Sequence, residues 1–241
     1  MPHINIYSQN ICWTKNQDSR IKIAKYITKH QPDIVCLQEV VFDYHLKPFD
    51  IIGYHKSNYK IPFLPNAGGL LVLSKTKPKS VSFVKYNNQG KINSIQLAER
   101  FISKGFLIID FGSFTIINTH LVASHNKLKN GQDKPNFTQL IQLLEYIKIE
   151  SNVHKDKKII LVGDLNFDPK SVNYTFLKNK LHDCTANIPV TFSGYKSRLD
   201  YICTNFKPSI GGFGTYPKIK IVKYLFGQPS DHYGLVAQMT V

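Results

Sequence analysis

The sequence has no long hydrophobic run and no leader-like beginning. No stretch approaches the ~18 consecutive apolar residues that a membrane-spanning helix needs. The first residues also lack the basic stretch followed by an apolar one that marks a secretory signal. We therefore expect a soluble chain that is either cytoplasmic or exported without a retained leader.

Closely spaced cysteines are missing as well. Cys12, Cys36, Cys184 and Cys203 are far apart, and no Cys-x-x-Cys pair occurs. This spacing speaks against the common zinc and dithiol redox motifs. Cys36 and Cys203 belong to apolar runs, where a free cysteine behaves as a small buried hydrophobic residue. Free, widely spaced cysteines of this kind are compatible with a reducing compartment.

Arginine and acidic residues are scarce. The chain has 31 basic residues, of which only 3 are arginine, against 16 acids, and its formal charge is +15. A surface this positive attracts polyanions or an anionic membrane face. A lysine-rich composition bias explains the same excess, and the scarcity of arginine, the better bidentate phosphate ligand, favours that bias. The charge alone leaves both explanations open.

The length and the apolar content predict one large domain. With 241 residues and 42% hydrophobic content, the chain can bury a substantial core, and no linker divides residues 1–241. Helical spacing or capping predicts helices that end before Pro32, over 136–150 and near 171–179. Residues 43–67 and 120–136 are predicted to be irregular. Strand-like runs occur at 3–11, 33–39, 68–74, 80–86, 101–110, 113–119, 159–166, 199–204, 219–225 and 233–241.

The order of these elements predicts the fold class. Phe111-Gly112 predicts a hairpin turn between the runs 101–110 and 113–119. Each half of the chain also contains a helix followed by a buried strand that ends in an acid. We therefore expect an α/β fold, a four-layer sandwich of two packed mixed sheets with helices on the outside.

The run from Ile159 to Asn166 is the strongest local signal for a site. Four apolar residues in a row predict a strand that is buried on both faces. Gly163 then allows a turn, and Asp164 and Asn166 point to the same side because strand side chains alternate. Ligands bind beyond strand ends in α/β folds. An ordinary Asp/Asn turn is the alternative.

Polar residues recur at other strand ends, and together they form a motif series. In chain order the series comprises Asn10, Gln38-Glu39, Asn118-Thr119-His120, Gly163-Asp164-Leu165-Asn166, Asp200-Tyr201 and Ser230-Asp231-His232. This series resembles that of the endonuclease/exonuclease/phosphatase superfamily over nearly the whole chain. The resemblance implies a single catalytic domain that hydrolyses phosphodiester bonds with a divalent metal ion.

The resemblance also implies roles for these residues. His232 would be the general base, oriented by Asp200, and Asp164 would orient the attacking water or the phosphoryl group. Asn166 and His120 would donate hydrogen bonds to the non-bridging oxygens.

The same resemblance implies a metal site. Glu39 and Asn10 offer the hard oxygen ligands that suit Mg²⁺. Asp231 would complete the site, and Mn²⁺ is an alternative to Mg²⁺.

Three local features resemble the neutral sphingomyelinases, which are phospholipase C-type enzymes. Lys104-Gly105-Phe106 is similar to their Lys-Gly-Phe element, Asn118-Thr119-His120-Leu121 to their histidine loop, and Tyr233 follows their Ser-Asp-His. The chain departs from the pattern at Asn136, where an arginine is usual. We expect Lys104 to contact substrate and Tyr224 and Phe226, in the segment 206–229, to enter a membrane. The alternative is that Ile219, Ile221 and Val222 form an ordinary strand and some of the aromatic residues are buried.

Three functions therefore remain open on the sequence alone. The local features favour a lipid phosphodiesterase, and the net charge favours a DNA or RNA nuclease. The third, a catalytically inactive phosphate- or membrane-binding module, is disfavoured because no recognised catalytic position is lost. The expected partner is a phosphodiester on a phospholipid surface or in a nucleic acid. No feature points to a protein partner, and we expect a monomer.

Overall fold

The computed structural model describes residues 3–60, 65–90, 100–123, 134–155, 157–194, 196–207, 218–222, 224 and 227–241. Their strands are β1 (His3–Asn10), β2 (Ile34–Gln38), β3 (His55–Ser57), β4 (Leu71–Ser74), β5 (Ser80–Lys85), β6 (Gly105–Asp110), β7 (Phe114–His120), β8 (Lys158–Asp164), β9 (His182–Asp183), β10 (Asp200–Thr204), β11 (Lys218–Ile221) and β12 (Leu235–Thr240). Their helices are α1 (Gln17–His30), α2 (Asp43–Leu46), α3 (Lys134–Val153) and α4 (Val172–Lys178), with 3₁₀ turns at Lys47–Phe49 and Ala67–Gly69.

The strands form two mixed sheets of six strands each. The first sheet has the order β11-β12-β1-β2-β4-β3, and the second has the order β5-β6-β7-β8-β10-β9. In each sheet the central pair is parallel, β1 with β2 and β7 with β8, and the remaining pairs are antiparallel. The predicted mixed α/β sandwich is confirmed.

Three apolar layers hold the sandwich together. The layer between the sheets includes Ile6, Cys36 and Val72 from the first sheet and Ile116, Ile160 and Val162 from the second. Outside the first sheet, α1 packs Ile23 and Ile27 against the face that carries Val35 and Leu37. Outside the second sheet, α3 packs Leu140 and Leu144 against Ile117 and Leu161. The central strands β2 and β8 carry uninterrupted apolar runs because both of their faces are covered.

Most predicted elements occur where the periodicity placed them. The hairpin across Phe111-Gly112 is present, and the amphipathic helix predicted at 136–150 extends over Lys134–Val153. Three expectations need correction. The run 101–110 is a strand only from Gly105 onward. The run 68–74 begins with the 3₁₀ turn Ala67–Gly69, and the segment 43–67 contains α2, a 3₁₀ turn and β3. Most of the predicted loop 120–136 lies outside the described residues.

The parallel pairs bring the predicted site residues to one end of the sandwich. Asn10 pairs in register with Gln38, and His120 with Asp164, so β1, β2, β7 and β8 all end there. Antiparallel β10 starts at the same level, where Asp200 faces Asp164. The site residues come together because the strand register fixes which side chains lie next to each other at the ends of the strands.

Candidate active site

His232 and Asp200 form a buried hydrogen-bonded pair. Nδ1 of His232 lies 2.8 Å from Oδ2 of Asp200, and the two residues are 5% and 1% exposed. The backbone also holds the histidine, because its N–H donates to Oγ of Ser230 and its carbonyl accepts from the amide of Gln9. The ring therefore has a fixed orientation, with Nε2 turned away from Asp200.

Asp164 lies at the centre of the site. Its Oδ2 is 3.5 Å from Nε2 of His232 and 3.6 Å from Nε2 of His120, and it accepts a 3.0 Å hydrogen bond from the amide of Asn10. Oδ1 accepts the backbone N–H of Asn166 at 2.9 Å. Two histidines and one carboxylate thus face one point at the strand ends.

The carboxylates decide the protonation of this cluster. Burial by itself lowers the pKa of His232, but Asp200 and Asp164 outweigh it and raise that pKa to about 10. Burial raises the pKa of Asp164 to about 7, although His232 opposes the shift. His232 therefore holds a proton at neutral pH when no other cation is near, as a buried histidine between two acids should.

His120 behaves in the opposite way. Burial lowers its pKa well below the ordinary value, and the positive charges of Lys104 and His232 lower it further. The amide of Asn166 lies 3.0 Å from Nε2 of His120 and donates to the carbonyl of Leu121 at 2.9 Å. Lys104 is itself buried, with Nζ 3.5 Å from the same carbonyl. The structure thus gathers a neutral imidazole, an amide and an ammonium group at this side of the site.

Glu39, Asn10 and Asp231 form the opposite side. The two oxygens of Glu39 accept from the amide of Asn10 and the backbone N–H of Trp13, each at 2.9 Å. Asp231 is half-buried and accepts from Ser230. Burial raises the pKa of the Cys12 thiol, and the charges of Asp231 and Glu39 raise it further, so both carboxylates lie near this cysteine.

Backbone geometry shows why the local sequence is so particular. Glu39 and Asn166 both adopt left-handed backbone conformations, with φ values of +64° and +53°. This conformation costs a residue such as Glu39 about 1–2 kcal/mol, whereas asparagine tolerates it better. At Gly163 a Cβ would lie 1.9 Å from the carbonyl oxygen of Thr119. Any other residue there would push β7 and β8 apart, and His120 would separate from Asp164.

Tyr224 does not lie where an exposed aromatic anchor would. Its hydroxyl lies 2.6 Å from that of Tyr7 and 2.7 Å from Oε1 of Gln9, and its ring packs against Tyr26. Tyr224 thus lies against β1 and α1, where it packs on the core and, through Gln9, supports the carbonyl of His232. The expectation that Tyr224 enters a membrane does not fit this placement. Phe226 lies outside the described residues.

Other residues of the site were not identified from the sequence. Gln9 supports His232, and Thr191 lies behind Asp200. Asn136 was noticed in the sequence only because the family pattern usually has an arginine there. Its amide donates to the carbonyls of Val122 and Leu165, which follow His120 and Asp164 in the chain. Gln9 and Thr191 are ordinary polar residues in the sequence, and only their contacts reveal them.

Comparisons with known proteins identify the family of the chain. The profile of the Endonuclease/Exonuclease/phosphatase family matches residues 5–232. Exodeoxyribonuclease III of Haemophilus influenzae is 24% identical in an alignment 161 residues long that covers 63% of this chain and 54% of that protein. The chain thus spans about half the length of this curated relative.

Solved structures share the fold. TDP2 from Caenorhabditis elegans has a TM-score of 0.76 at 16% identity, over 100% of this chain and 75% of that chain. Sphingomyelinase C from Streptomyces griseocarneus has a TM-score of 0.70 at 17% identity, over 100% of both chains. At these identities the likeness is one of fold.

In the described part of the chain, no helix has the length and apolarity needed to cross a bilayer.

Proposed function

Because the chain belongs to the Endonuclease/Exonuclease/phosphatase family, whose members hydrolyse phosphodiester bonds, we propose that it is a metal-dependent phosphoric diester hydrolase that acts as a single catalytic domain. One observation carries the proposal. His232 is buried, held through Nδ1 by Asp200, and its Nε2 faces Asp164. That is the arrangement a general base needs for attack by water on a phosphate.

In this mechanism Nε2 of His232 takes the proton of the attacking water. Asp200 keeps the ring in place and stabilises the imidazolium that forms, as the buried acid of a hydrolase triad does. Asp164 is 3.5 Å from the same nitrogen and orients the water through its Oδ2. Asn166 and His120, supported by the charge of Lys104, bind the non-bridging oxygens where negative charge develops.

Glu39, Asn10 and Asp231 are the residues that would hold a divalent ion. Enzymes of the family generally use such an ion, and this donor set of carboxylate and amide oxygens suits Mg²⁺, with Mn²⁺ as an alternative. Glu39 fits because it is half-buried and each of its oxygens keeps a lone pair beyond its one hydrogen bond. When bound, the ion would neutralise phosphate charge, stabilise the leaving oxygen and favour the neutral form of His232.

For the substrate, we propose a phospholipid such as sphingomyelin, cleaved as a phospholipase C cleaves it. The resemblance of Lys104-Gly105-Phe106 to the neutral sphingomyelinases supports this class. A cluster of aromatic rings near Glu39, in which Tyr44 is exposed and Phe42 and Trp13 are half-buried, also supports it. Tyr44 is 56% exposed, and its ring stacks on Phe42, which contacts Trp13 beside Glu39. Aromatic rings of this kind suit a membrane interface.

A nuclease is the second candidate. The formal charge of +15 favours binding of a nucleic acid backbone, and the curated relative above is an exodeoxyribonuclease. The exposed ring of Tyr44 in the same aromatic cluster would then stack on an unpaired base.

The deciding experiment measures hydrolysis of sphingomyelin vesicles and of single- and double-stranded DNA and RNA, with Mg²⁺ and with EDTA. We expect Mg²⁺-dependent release of phosphocholine from the vesicles. His232→Ala should abolish it, whereas His55→Ala, which removes an exposed histidine of β3, should not. Cleavage of nucleic acid alone would identify the nuclease, and binding without turnover of any substrate would overturn the proposed hydrolase.

A further inference from the structure

The segment 191–193 lies between the two partners of the catalytic pair. On one side, the N–H groups of Thr191 and Phe192 donate to the carbonyl of Ser197, at 3.0 and 2.9 Å, just before β10 begins. On the other side, the N–H of Tyr233 donates to the carbonyl of Thr191 at 2.7 Å, and the N–H of Ser193 donates to the carbonyl of Asp231 at 2.9 Å. The segment therefore joins the start of β10 to the residues on either side of His232.

Thr191 has an unusual pair of partners within this segment. Its side-chain oxygen accepts the backbone N–H of Leu199 at 2.9 Å and that of Asp200 at 3.0 Å, and the residue is fully buried. No water can replace a lost acceptor at such a place without a rearrangement. Two buried N–H groups would be left without a partner, which is costly to the fold or moves the backbone of Asp200.

The main chain and the neighbouring ring act on the histidine. The carbonyl of Thr191 holds Tyr233, the residue after His232. The ring of Phe192 lies 4.9 Å from the imidazole, at an angle of 56°. The side chain of Thr191 thus holds the backbone of Asp200. The carbonyl of Thr191 and the ring of Phe192 hold His232 and the residue after it.

We propose that Thr191 is a positioning residue that sets the distance and angle between Asp200 and His232; this inference rests on the proposed function, in which the pair acts as the general base. Thr191 touches neither the water nor the phosphate and acts through the N–H of Asp200. Because small misplacements of reacting groups lower rates by as much as ~10²-fold, the hydroxyl of Thr191 should matter for kcat rather than for KM.

The test compares Thr191→Val, which keeps the shape and removes the hydroxyl, with Thr191→Ser, which keeps the hydroxyl. We expect the Val variant to lower kcat for Mg²⁺-dependent hydrolysis of bis(p-nitrophenyl) phosphate by about 10- to 100-fold with KM nearly unchanged, and the Ser variant to recover most of it. Thr204→Val is the matched control, because Thr204 is equally buried at the other end of β10 and bonds to Phe206. The control should lose stability without a loss of kcat.

A double-variant cycle separates positioning from a general loss of structure. In the background of Asp200→Asn, which already disables the pair, Thr191→Val should cost less than about 3-fold, because coupled residues act as a unit. A full further loss in that background, or a kcat of Thr191→Val within 2-fold of the parent, would overturn the inference. If the Val variant does not fold, Thr191→Cys, with its weaker sulfur acceptor, takes its place in the same comparison.

A readout without turnover keeps the two proposals distinguishable. The Nδ1–H proton of His232 in its hydrogen bond to Asp200 should give a downfield proton NMR signal, assigned by its loss in His232→Ala. Thr191→Val should shift or broaden this signal, whereas Thr204→Val should leave it in place. An unchanged signal contradicts the positioning role even if the protein hydrolyses nothing. Activity that survives in His232→Ala contradicts the proposed function instead.

Discussion

Gln38 and Asn118 join the two sheets directly behind the site. Nε2 of Gln38 donates to Oδ1 of Asn118 at 2.8 Å, and both residues are fully buried. Asn118 also crosses to the first sheet, where its amide donates to the carbonyls of Leu37 and Leu71 at 3.0 and 3.2 Å. Because Gln38 precedes Glu39 and Asn118 lies two residues before His120, this pair fixes the spacing between the strand end that carries Glu39 and the strand end that carries His120.

Asn118→Ala should therefore destabilise the fold strongly. It leaves Nε2 of Gln38 with only the longer 3.4 Å hydrogen bond to the carbonyl of Cys36, and it removes the amide that donates to the carbonyls of Leu37 and Leu71. A buried group that loses its partner costs about 1–3 kcal/mol. We expect a loss of roughly 3 kcal/mol or more in the free energy of unfolding, measured by urea denaturation. Asn152→Ala, which removes an exposed amide from α3, should change it by less than about 0.5 kcal/mol. Similar effects of both changes would contradict the role of the buried pair.

Glu39→Gln tests the metal site. The change keeps the shape of the side chain and removes the charge that would bind the divalent ion, so we expect weaker Mg²⁺ dependence and a loss of activity of at least ~10-fold. The measurement is the rate at increasing Mg²⁺ concentration. Activity at the parent level with the same Mg²⁺ dependence would show that Glu39 is not a ligand.

His232 and Asp200 should act as one unit. Removal of a general base typically costs ~10²–10⁴ in rate. We expect both His232→Ala and Asp200→Asn to be impaired, and the double variant to be little worse than the poorer single variant, because Asp200 acts only through the imidazole it orients. Initial rates of the three variants decide this. Losses that multiply would mean that Asp200 has a separate task.

The stability of the protein should depend on the charge of His232. The folded pKa is raised to about 10, above the unfolded value near 6.5, so the protonated histidine stabilises the fold fully below about pH 6.5. This contribution is lost as the pH rises towards 10, at roughly 1 kcal/mol per pH unit in that window. Urea denaturation without metal should show a steeper decline for the parent than for His232→Gln. Parallel curves for the two proteins would contradict the raised pKa.

The local pattern of the sequence was sufficient for most of the fold. Uninterrupted apolar runs such as Ile159–Val162 predict doubly covered strands, and Phe111-Gly112 predicts a hairpin, because both depend on residues that are close in the chain. The segment 43–67 was predicted less well. Its short α2 and β3 are stabilised by tertiary packing, as with Phe49 in the core of the first sheet, and not by periodicity.

The residue types at the strand ends were also evident from the sequence, and their motif series identified the family. Their mutual geometry was not. The register that places Asp200 opposite Asp164, the contact of His232 with Asp200 and the two N–H groups on Thr191 each join residues far apart in the chain. Tyr224 is a second example of geometry that the sequence does not reveal. An aromatic residue among lysines is compatible with a membrane surface, but in the structure its hydroxyl bonds to Tyr7 and Gln9. A sequence records which groups are available, and only the packing of the two sheets decides which of them meet.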